Sequence, residues 1–321
     1  MRIILIVGPT ASGKTSLACE LAEELDAEIV SADSQQCYRG LDVGTAKPIA
    51  EERARAPHHL LDVADPEEQL DAARFVSLAD AAIADIRERG KKVIVAGGTG
   101  LWIRALLQGL VDAPGASPEF RASLRDELDA LGAPALHARL AQLDPAAAAK
   151  IQPNDRVRIE RALEVHALSG RRLSELQREH RFAQARYQAL SIFLDPPRAL
   201  LHERIGHRTQ QMFASGALQE ETRWLLQRGA HKALKIIGYG ECAEALRTGD
   251  FAQAEARTAA RTRQYAKRQR SWFAREAAQS PASGAGGTPT EWPIDAARLC
   301  QRALRWYEGA PEEQGSLAQR R

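Results

Sequence analysis

Apolar residues recur along this chain with two periods, and the order of those periods predicts the fold. Ile3–Val7 is a short unbroken apolar run, the mark of a strand buried on both faces. Behind it Leu17, Leu21 and Leu25 recur at the spacing of one helix face within Ser16–Leu25. Ala27–Asp33 is a second short strand, ending on an acid, and Lys92–Gly97 is a third. Thr45–Pro48 reads as loop, and His58-His59 leads into the apolar run Leu60–Val63. Ala72–Arg89 sets Phe75, Leu78, Ala82, Ile83 and Ile86 on one side of an amphipathic helix. Gly97-Gly98-Thr99-Gly100 is a tight turn into another helix. Such alternation predicts a parallel sheet with helices on both faces.

The pattern changes near Pro114. From Ser117 to about His180 there is no strand candidate, only helical segments punctuated by Gly132, Pro134, Pro145 and Pro153. Strand character resumes at Ala189–Leu194, followed by Asp195-Pro196-Pro197 and a helix carrying Arg204 and Arg208. Phe251–Ala277 reads as one long helix, Ser280–Pro293 as a mobile Gly/Pro/Ser/Thr-rich loop, Ile294–Tyr307 as a last helix, and Gly309–Arg321 as a polar tail. The expected organisation is a sheet core in two parts, 1–114 and 188–278, interrupted by an all-α insertion at 115–187. A C-terminal segment, 279–321, follows.

Composition changes this picture little. Apolar residues make up 44% of the 321 and charged residues 27%, as in ordinary globular proteins. No apolar run reaches membrane-spanning length and no signal-peptide pattern opens the chain, so no membrane partner is expected. Cys19, Cys37, Cys242 and Cys300 are scattered without Cys-x-x-Cys or matching His spacing, which argues against zinc and for a reduced cytoplasmic interior. The formal net charge of +2 hides a local bias. Arg257, Arg261, Arg263, Lys267, Arg268, Arg270 and Arg275 follow one another with no acid between them, and Arg257, Arg261, Lys267 or Arg268, and Arg275 recur near helical period as one positive stripe suited to phosphate backbone.

The chemistry starts where the first strand ends. Gly8-Pro9-Thr10-Ala11-Ser12-Gly13-Lys14-Thr15 lies between a strand and a helix, the context a phosphate-binding P-loop requires. Gly8 and Gly13 leave room for backbone N–H groups to approach phosphate oxygens. The helix N-terminus and Lys14 add positive charge, and the Thr15 hydroxyl suits a magnesium ion shared with the phosphates. Ligands of open parallel sheets bind outside the carboxyl ends of the strands, so Asp33 and Thr99 should stand beside this loop. Asp33 has two readings on residue type alone, a general base or a metal-shell or hydroxyl ligand. Thr99 either meets a ligand or satisfies its own turn. Arg204 and Arg208, one helical turn apart, share a face that could clamp the phosphates from the other side.

Ser31–Pro48, together with Gly8–Thr15 and Gly97-Gly-Thr-Gly-Leu101, resembles the tRNA dimethylallyltransferase family. His58-His-Leu-Leu-Asp62, Pro153-Asn-Asp155 through Arg161-Ala-Leu-Glu-Val165, and Thr262–Trp272 extend the resemblance from about Ile3 to Ala274. It implies a P-loop NTPase-like α/β core that moves a dimethylallyl group from dimethylallyl diphosphate to N6 of the adenosine 3′ of the anticodon, in tRNAs reading U-starting codons. It implies Asp33 as base, with Thr99 and Lys14 also catalytic. Gly8, Thr10, Ala11, Ser12, Gly13, Lys14, Thr15 and Arg208 would hold the diphosphate, with Mg2+ on Thr15. Asp33, Ser34, Gln35, Gln36, Thr99, Lys235, Lys267 and Arg268 would meet tRNA. So, in the insertion, would Arg121, Val157, Arg158, Ile159, Glu160 and Arg161, on the anticodon stem-loop. The family pattern is broken at Trp102, where tyrosine is usual. It is broken again in Lys235-Ile-Ile-Gly-Tyr-Gly240-Glu241, where arginine, arginine and glutamine are typical. Losing a guanidinium at Gly240 puts in question any contact from that loop.

His58, His59, Trp224 and Trp272 read as structural, and Cys37 as an inert neutral residue. Nothing demands more than a monomer. Three rivals stand beside this reading: a P-loop small-molecule kinase, a prenyltransferase acting on free adenosine phosphates, and a non-catalytic RNA-binding module. The second has little use for the insertion and basic helix, and the third leaves Lys14, Thr15 and Asp33 without purpose.

Overall fold

The computed structural model describes residues 1–180, 185–279 and 292–308. The expected mobile loop and polar tail fall outside these residues, apart from Trp292 and Pro293. The chain divides into two compact units, one of Met1–Leu107 with Ala185–Arg321 and one of Gln108–Gln184.

The larger unit is built on five parallel strands, β1 (Arg2–Val7), β2 (Ala27–Ser31), β3 (His58–His59), β4 (Lys92–Gly97) and β5 (Gln188–Phe193), in the order β3-β2-β4-β1-β5. Its first helices are α1 (Lys14–Leu25), α2 (Ala50–Arg55), α3 (Ala72–Glu88) and α4 (Gly100–Gln108). The period-2 geometry of β1 sorts its apolar run onto two faces. Ile3, Leu5 and Val7 join Phe75, Ile83 and Trp102 in one core cluster, while Ile4 and Ile6 join Leu17, Leu21 and Leu25 in another. A strand buried on both sides must be apolar throughout, which is why this one reads as an unbroken run. His58 and His59, expected ahead of an apolar run, themselves form the edge strand; His59 Nε2 lies 2.6 Å from Glu28.

The smaller unit, 108–184 against the expected 115–187, holds helices and no strand among its described residues: α5 (Pro118–Leu131), α6 (Ala133–Leu143), α7 (Pro145–Ala148), α8 (Arg156–Ser169) and α9 (Leu173–His180). Ser117, Asp144 and Asp155 cap α5, α7 and α8 by accepting from backbone N–H groups. Leu124, Leu136, Leu140, Ile159 and Leu163 form its core.

The chain then returns to the larger unit as α10 (Arg198–Ala214), α11 (Ala217–Arg228), α12 (Tyr239–Thr248), α13 (Phe251–Gln279) and α14 (Ala296–Glu308). Only β2 and β3 are neighbours both in sequence and in the sheet: β4 separates β1 from β2, and β5 lies on the far side of β1. That reversal of strand order opens a crevice at the carboxyl ends, where the loops after β1, β2, β4 and β5 gather.

Candidate active site

The phosphate loop turns sharply out of β1. A Cβ on Gly8 would stand 2.5 Å from the Leu194 carbonyl oxygen, so only glycine lets the loop pass that close to β5. Gly13 then opens α1 in a left-handed conformation, φ 92°, with its N-terminus on the loop. A cleft of about 1020 Å³ lies over it, lined at this end by Thr10, Ala11, Gly13, Lys14, Thr15, Asp33, Arg204 and Arg208. Lys14 Nζ donates to the Pro9 carbonyl at 2.7 Å, and Arg208 Nη2 to Thr10 Oγ1 at 2.7 Å. Burial pulls the Lys14 ammonium down to about 8; the Asp33 carboxylate opposes that and Arg208 adds to it. Burial lowers Arg208 as well, again against Asp33. Two cations thus share one carboxylate, a surplus of positive charge that an anion would relieve. The buried Ser12 hydroxyl has no hydrogen-bond partner among the described residues. Among the described residues no three His, Cys, Asp or Glu side chains form a metal cage. The donor set fits a magnesium ion held by Thr15 together with phosphate oxygens.

The residues expected to read a base divide by role. Asp33 lies on the cleft, and its Oδ1 accepts from Gln35 N at 2.9 Å. Thr99 Oγ1 accepts from Ser34 N at 2.9 Å and donates to Ser34 Oγ at 3.2 Å, so it clasps the loop after β2 to the loop after β4. Gln36 is committed elsewhere: Nε2 donates to the Ala46 carbonyl at 2.9 Å and Oε1 accepts from Ser31 Oγ at 3.3 Å. It braces the cleft wall. Gln35 instead lines a second pocket of about 330 Å³ with Lys235, Arg261, Gln264, Tyr265 and Arg268. The structure therefore brings Gln35, Lys235 and Arg268 together from three distant parts of the chain.

Sequence reasoning missed Gln269. It is 5% exposed, accepts from Thr10 N at 2.8 Å and donates to the Gly98 carbonyl at 2.9 Å, tying α13 to two of the site's loops. Tyr265, one turn earlier, hydrogen-bonds Thr99 and Gln269, and burial raises its phenol well above the ordinary range, with Asp33 adding to the effect. The available signal was the row Thr258, Thr262, Ala266, Gln269 and Phe273, a buried helix face in which a lone amide needs partners.

The expected stripe falls on one row of α13, but folding pairs part of its charge. On α13, Arg257, Arg261, Arg268 and Arg275 fall on one row and Arg263, Lys267 and Arg270 on another. Arg257 pairs with Glu244 at 2.6 Å, Arg270 with Asp195 at 2.5 Å, and Arg261 with the buried Glu241. The glutamate at 241, where glutamine is typical, thus removes one arginine from the stripe; it also accepts from Gly238 N at 2.9 Å. Arg268 lies 5.7 Å over the Tyr265 ring, and neither it nor Lys267 has a carboxylate partner among the described residues. Trp272 packs against the core under Arg104, 4.5 Å from its ring, and burial pushes the Cys37 thiol up to about 12, both as structural residues.

In the helical unit, three of the expected RNA contacts, Arg121, Arg161 and Ile159, are committed to the fold. Glu164 is fully buried and accepts from Arg121 Nε at 2.8 Å, Arg161 Nη1 at 2.8 Å and Ser117 N at 2.9 Å. Burial opposes its charge, yet these bonds outweigh burial and hold the carboxyl at about 2. Arg161 also donates to the Pro114 carbonyl at 2.7 Å, and Glu160 lies 3.3 Å from Arg121. Ile159 is 1% exposed, a core side chain. Val157, 77% exposed, and Arg158, paired with Asp155 at 3.2 Å, remain on the surface.

Known proteins resemble this chain over most of its length. A family model described as IPP transferase matches residues 36–276. The tRNA dimethylallyltransferase of Anaeromyxobacter dehalogenans (strain 2CP-C) is 59% identical over 279 residues, 86% of this chain and 93% of the relative. The crystal structure of the full-length tRNA isopentenylpyrophosphate transferase from Bacillus halodurans is 34% identical and superposes with a TM-score of 0.67, covering 96% of each chain. A eukaryotic dimethylallyltransferase acting on tRNA superposes with a TM-score of 0.83 at 27% identity, covering 98% of this chain and 81% of the other. The chain belongs to the IPP transferase family, among the tRNA dimethylallyltransferases.

Proposed function

We propose that the cleft of the larger unit transfers a dimethylallyl group from dimethylallyl diphosphate to N6 of the adenosine 3′ of the anticodon, in tRNAs reading U-starting codons. The observation that carries this is the sharing of one cleft by a cationic phosphate cradle and the Asp33 carboxylate. The allylic C–O bond breaks, its electrons leave with the diphosphate, and the developing charge falls on Lys14, Arg208 and the loop N–H groups. The N6 lone pair closes the new C–N bond, and Asp33 takes the proton that N6 releases. Thr15 would hold the magnesium ion, which supplies further charge neutralisation to the leaving group. Thr99 and Ser34 keep the Asp33 loop in register with the loop after β4.

The target base lies inside an anticodon-loop stack and must leave it to meet Asp33. Gln35, Lys235, Lys267 and Arg268 offer an amide and cations to the flanking RNA, and Val157 and Arg158 are the exposed candidates in the helical unit. Their exposure supports that role; the committed side chains of Arg121, Arg161 and Ile159 support a structural one. A tRNA substrate fits a cytoplasmic enzyme, and none of these roles calls for a second copy of the chain. No helix among the described residues is long and apolar enough to cross a membrane.

The test is a transfer assay with labelled dimethylallyl diphosphate and magnesium, offering unmodified tRNA in one reaction and AMP in another. Label should enter tRNA without ATP. Asp33→Asn should lower transfer by about 10²–10⁴-fold while tRNA still binds. Label in AMP alone would overturn the substrate, and an active Asp33→Asn variant would overturn the base.

A further inference from the structure

The cleft has two ends of different chemistry. Thr10, Lys14, Thr15, Arg204 and Arg208 make one part of its lining polar and cationic; Val43, Ala46, Pro48 and Met212 add apolar side chains on another, where Asp42, Thr45, Lys47, Glu52 and Arg53 also line it but hydrogen-bond within the wall. Helix α10 joins them. Arg204, Arg208 and Met212 are spaced i, i+4, i+8, so they lie along one face, each about one 5.4 Å turn beyond the last. Arg208 and Met212 both line the cleft, so a prenyl tail of roughly one helical turn in length, running along this face from a diphosphate at Arg208, would end at Met212.

The apolar end is held from behind. Met212, 9% exposed, belongs to a cluster with Leu41, Phe213, Leu218 and Tyr239, against which Val43 and Ala46 pack. Lys47, its side chain 1% exposed, donates to the Tyr38 carbonyl at 2.6 Å, to Asp42 at 2.6 Å and to Asp62 at 2.5 Å. Glu221 accepts from Asp42 N at 2.9 Å and Val43 N at 2.8 Å, and takes the Tyr239 hydroxyl at 2.6 Å. Gln36 holds Ala46, whose φ of 51° is left-handed, by its carbonyl. A wall fastened at Asp42, Val43, Ala46 and Lys47 does not retreat to admit a longer chain.

We infer that Met212 is a specificity-determining residue, closing the apolar end of the cleft so that five-carbon donors fit and ten-carbon donors do not. This rests on the reading of the cleft as a prenyl diphosphate site. The discrimination is by exclusion: the head of either donor meets the same cations, and only the tail meets Met212.

The experiment compares kcat/KM for dimethylallyl and geranyl diphosphate with one tRNA, in the wild-type chain, Met212→Ala and Met212→Phe. Competitive inhibition by inorganic diphosphate reports the head end separately. Met212→Ala should raise the geranyl-to-dimethylallyl ratio about tenfold or more, and Met212→Phe should lower dimethylallyl transfer by a similar factor. Diphosphate inhibition should stay near the wild-type value in both. An unmoved donor ratio in a Met212→Ala chain that still binds diphosphate overturns the inference while leaving the function intact. Should that variant fail to fold, Val43→Ala on the same wall carries the same expectation and the same refutation. A wild-type chain that uses neither donor overturns the function and this inference with it.

Discussion

Lys14 shows how one residue serves two demands. It must be charged to hold a diphosphate, yet it sits where burial lowers its proton affinity to about 8. A depressed lysine is protonated below that value and neutral above it, so anion binding is present at low pH and lost as pH rises. Inhibition by inorganic diphosphate should therefore weaken by about tenfold between pH 7 and pH 9, measured without tRNA. In Lys14→Arg, whose guanidinium stays charged, the profile should flatten. A wild-type profile as flat as that of Lys14→Arg would show that the ammonium does not titrate in this range. Residue type made Lys14, Thr15 and Asp33 legible as a phosphate site with a carboxylate beside it. It could not reveal that Gln36 spends its amide on Ala46, because the partner is a backbone carbonyl brought up by folding.

At the scale of an element, α13 carries the largest difference between the linear pattern and the folded chain. Its seven cations have no acid among them in sequence, but Asp195, Glu241 and Glu244 approach from other segments. Charge patterning is read along one chain, whereas screening is a property of three dimensions. Lys267 and Arg268 should therefore dominate the electrostatic contribution to RNA binding. Reversing both to glutamate should weaken tRNA affinity and make the slope of log affinity against log salt shallower by about 1.5–2, with diphosphate inhibition intact. Arg257→Ala, which removes a cation already paired with Glu244, should move the slope far less. Equal effects from the two changes would mean that the ion pairs do not shield. The same helix holds Gln269 against Thr10 and Gly98, so it is part of the site's frame as well as its surface.

For the whole molecule, the chain makes two units from one sequence by leaving a sheet and returning to it. The smaller unit is secured by a carboxylate in its core. Glu164 has a folded value of about 2 against an ordinary 4.5, so its contribution is present above pH 4.5 and is lost as pH falls toward 2. That difference corresponds to about 3 kcal/mol. Arg121→Ala leaves the buried charge with fewer partners and should cost about 3 kcal/mol, most of it in the helical unit. Amide exchange in α5 and α8 of the full chain, compared with exchange in β1 and β4, measures this. Uniform acceleration across both units, or none, would refute a local role. An RNA contact by Arg121 predicts instead unchanged exchange with weakened tRNA binding.

Local pattern sufficed for much of this protein. Ile3–Val7 and Val93–Ala96 are unbroken apolar runs, and Ala189–Leu194 is one but for Ser191, because both faces of a parallel sheet are covered, and that physical demand is written locally. The glycine-bounded loop is equally local, since a backbone that must approach a phosphate tolerates no side chain. The strand order β3-β2-β4-β1-β5, the partners of the α13 arginines and the burial of Glu164 were decided only by the tertiary structure. Each depends on which distant groups meet, and a carboxylate 13 to 75 residues away leaves no mark on the sequence around an arginine of α13.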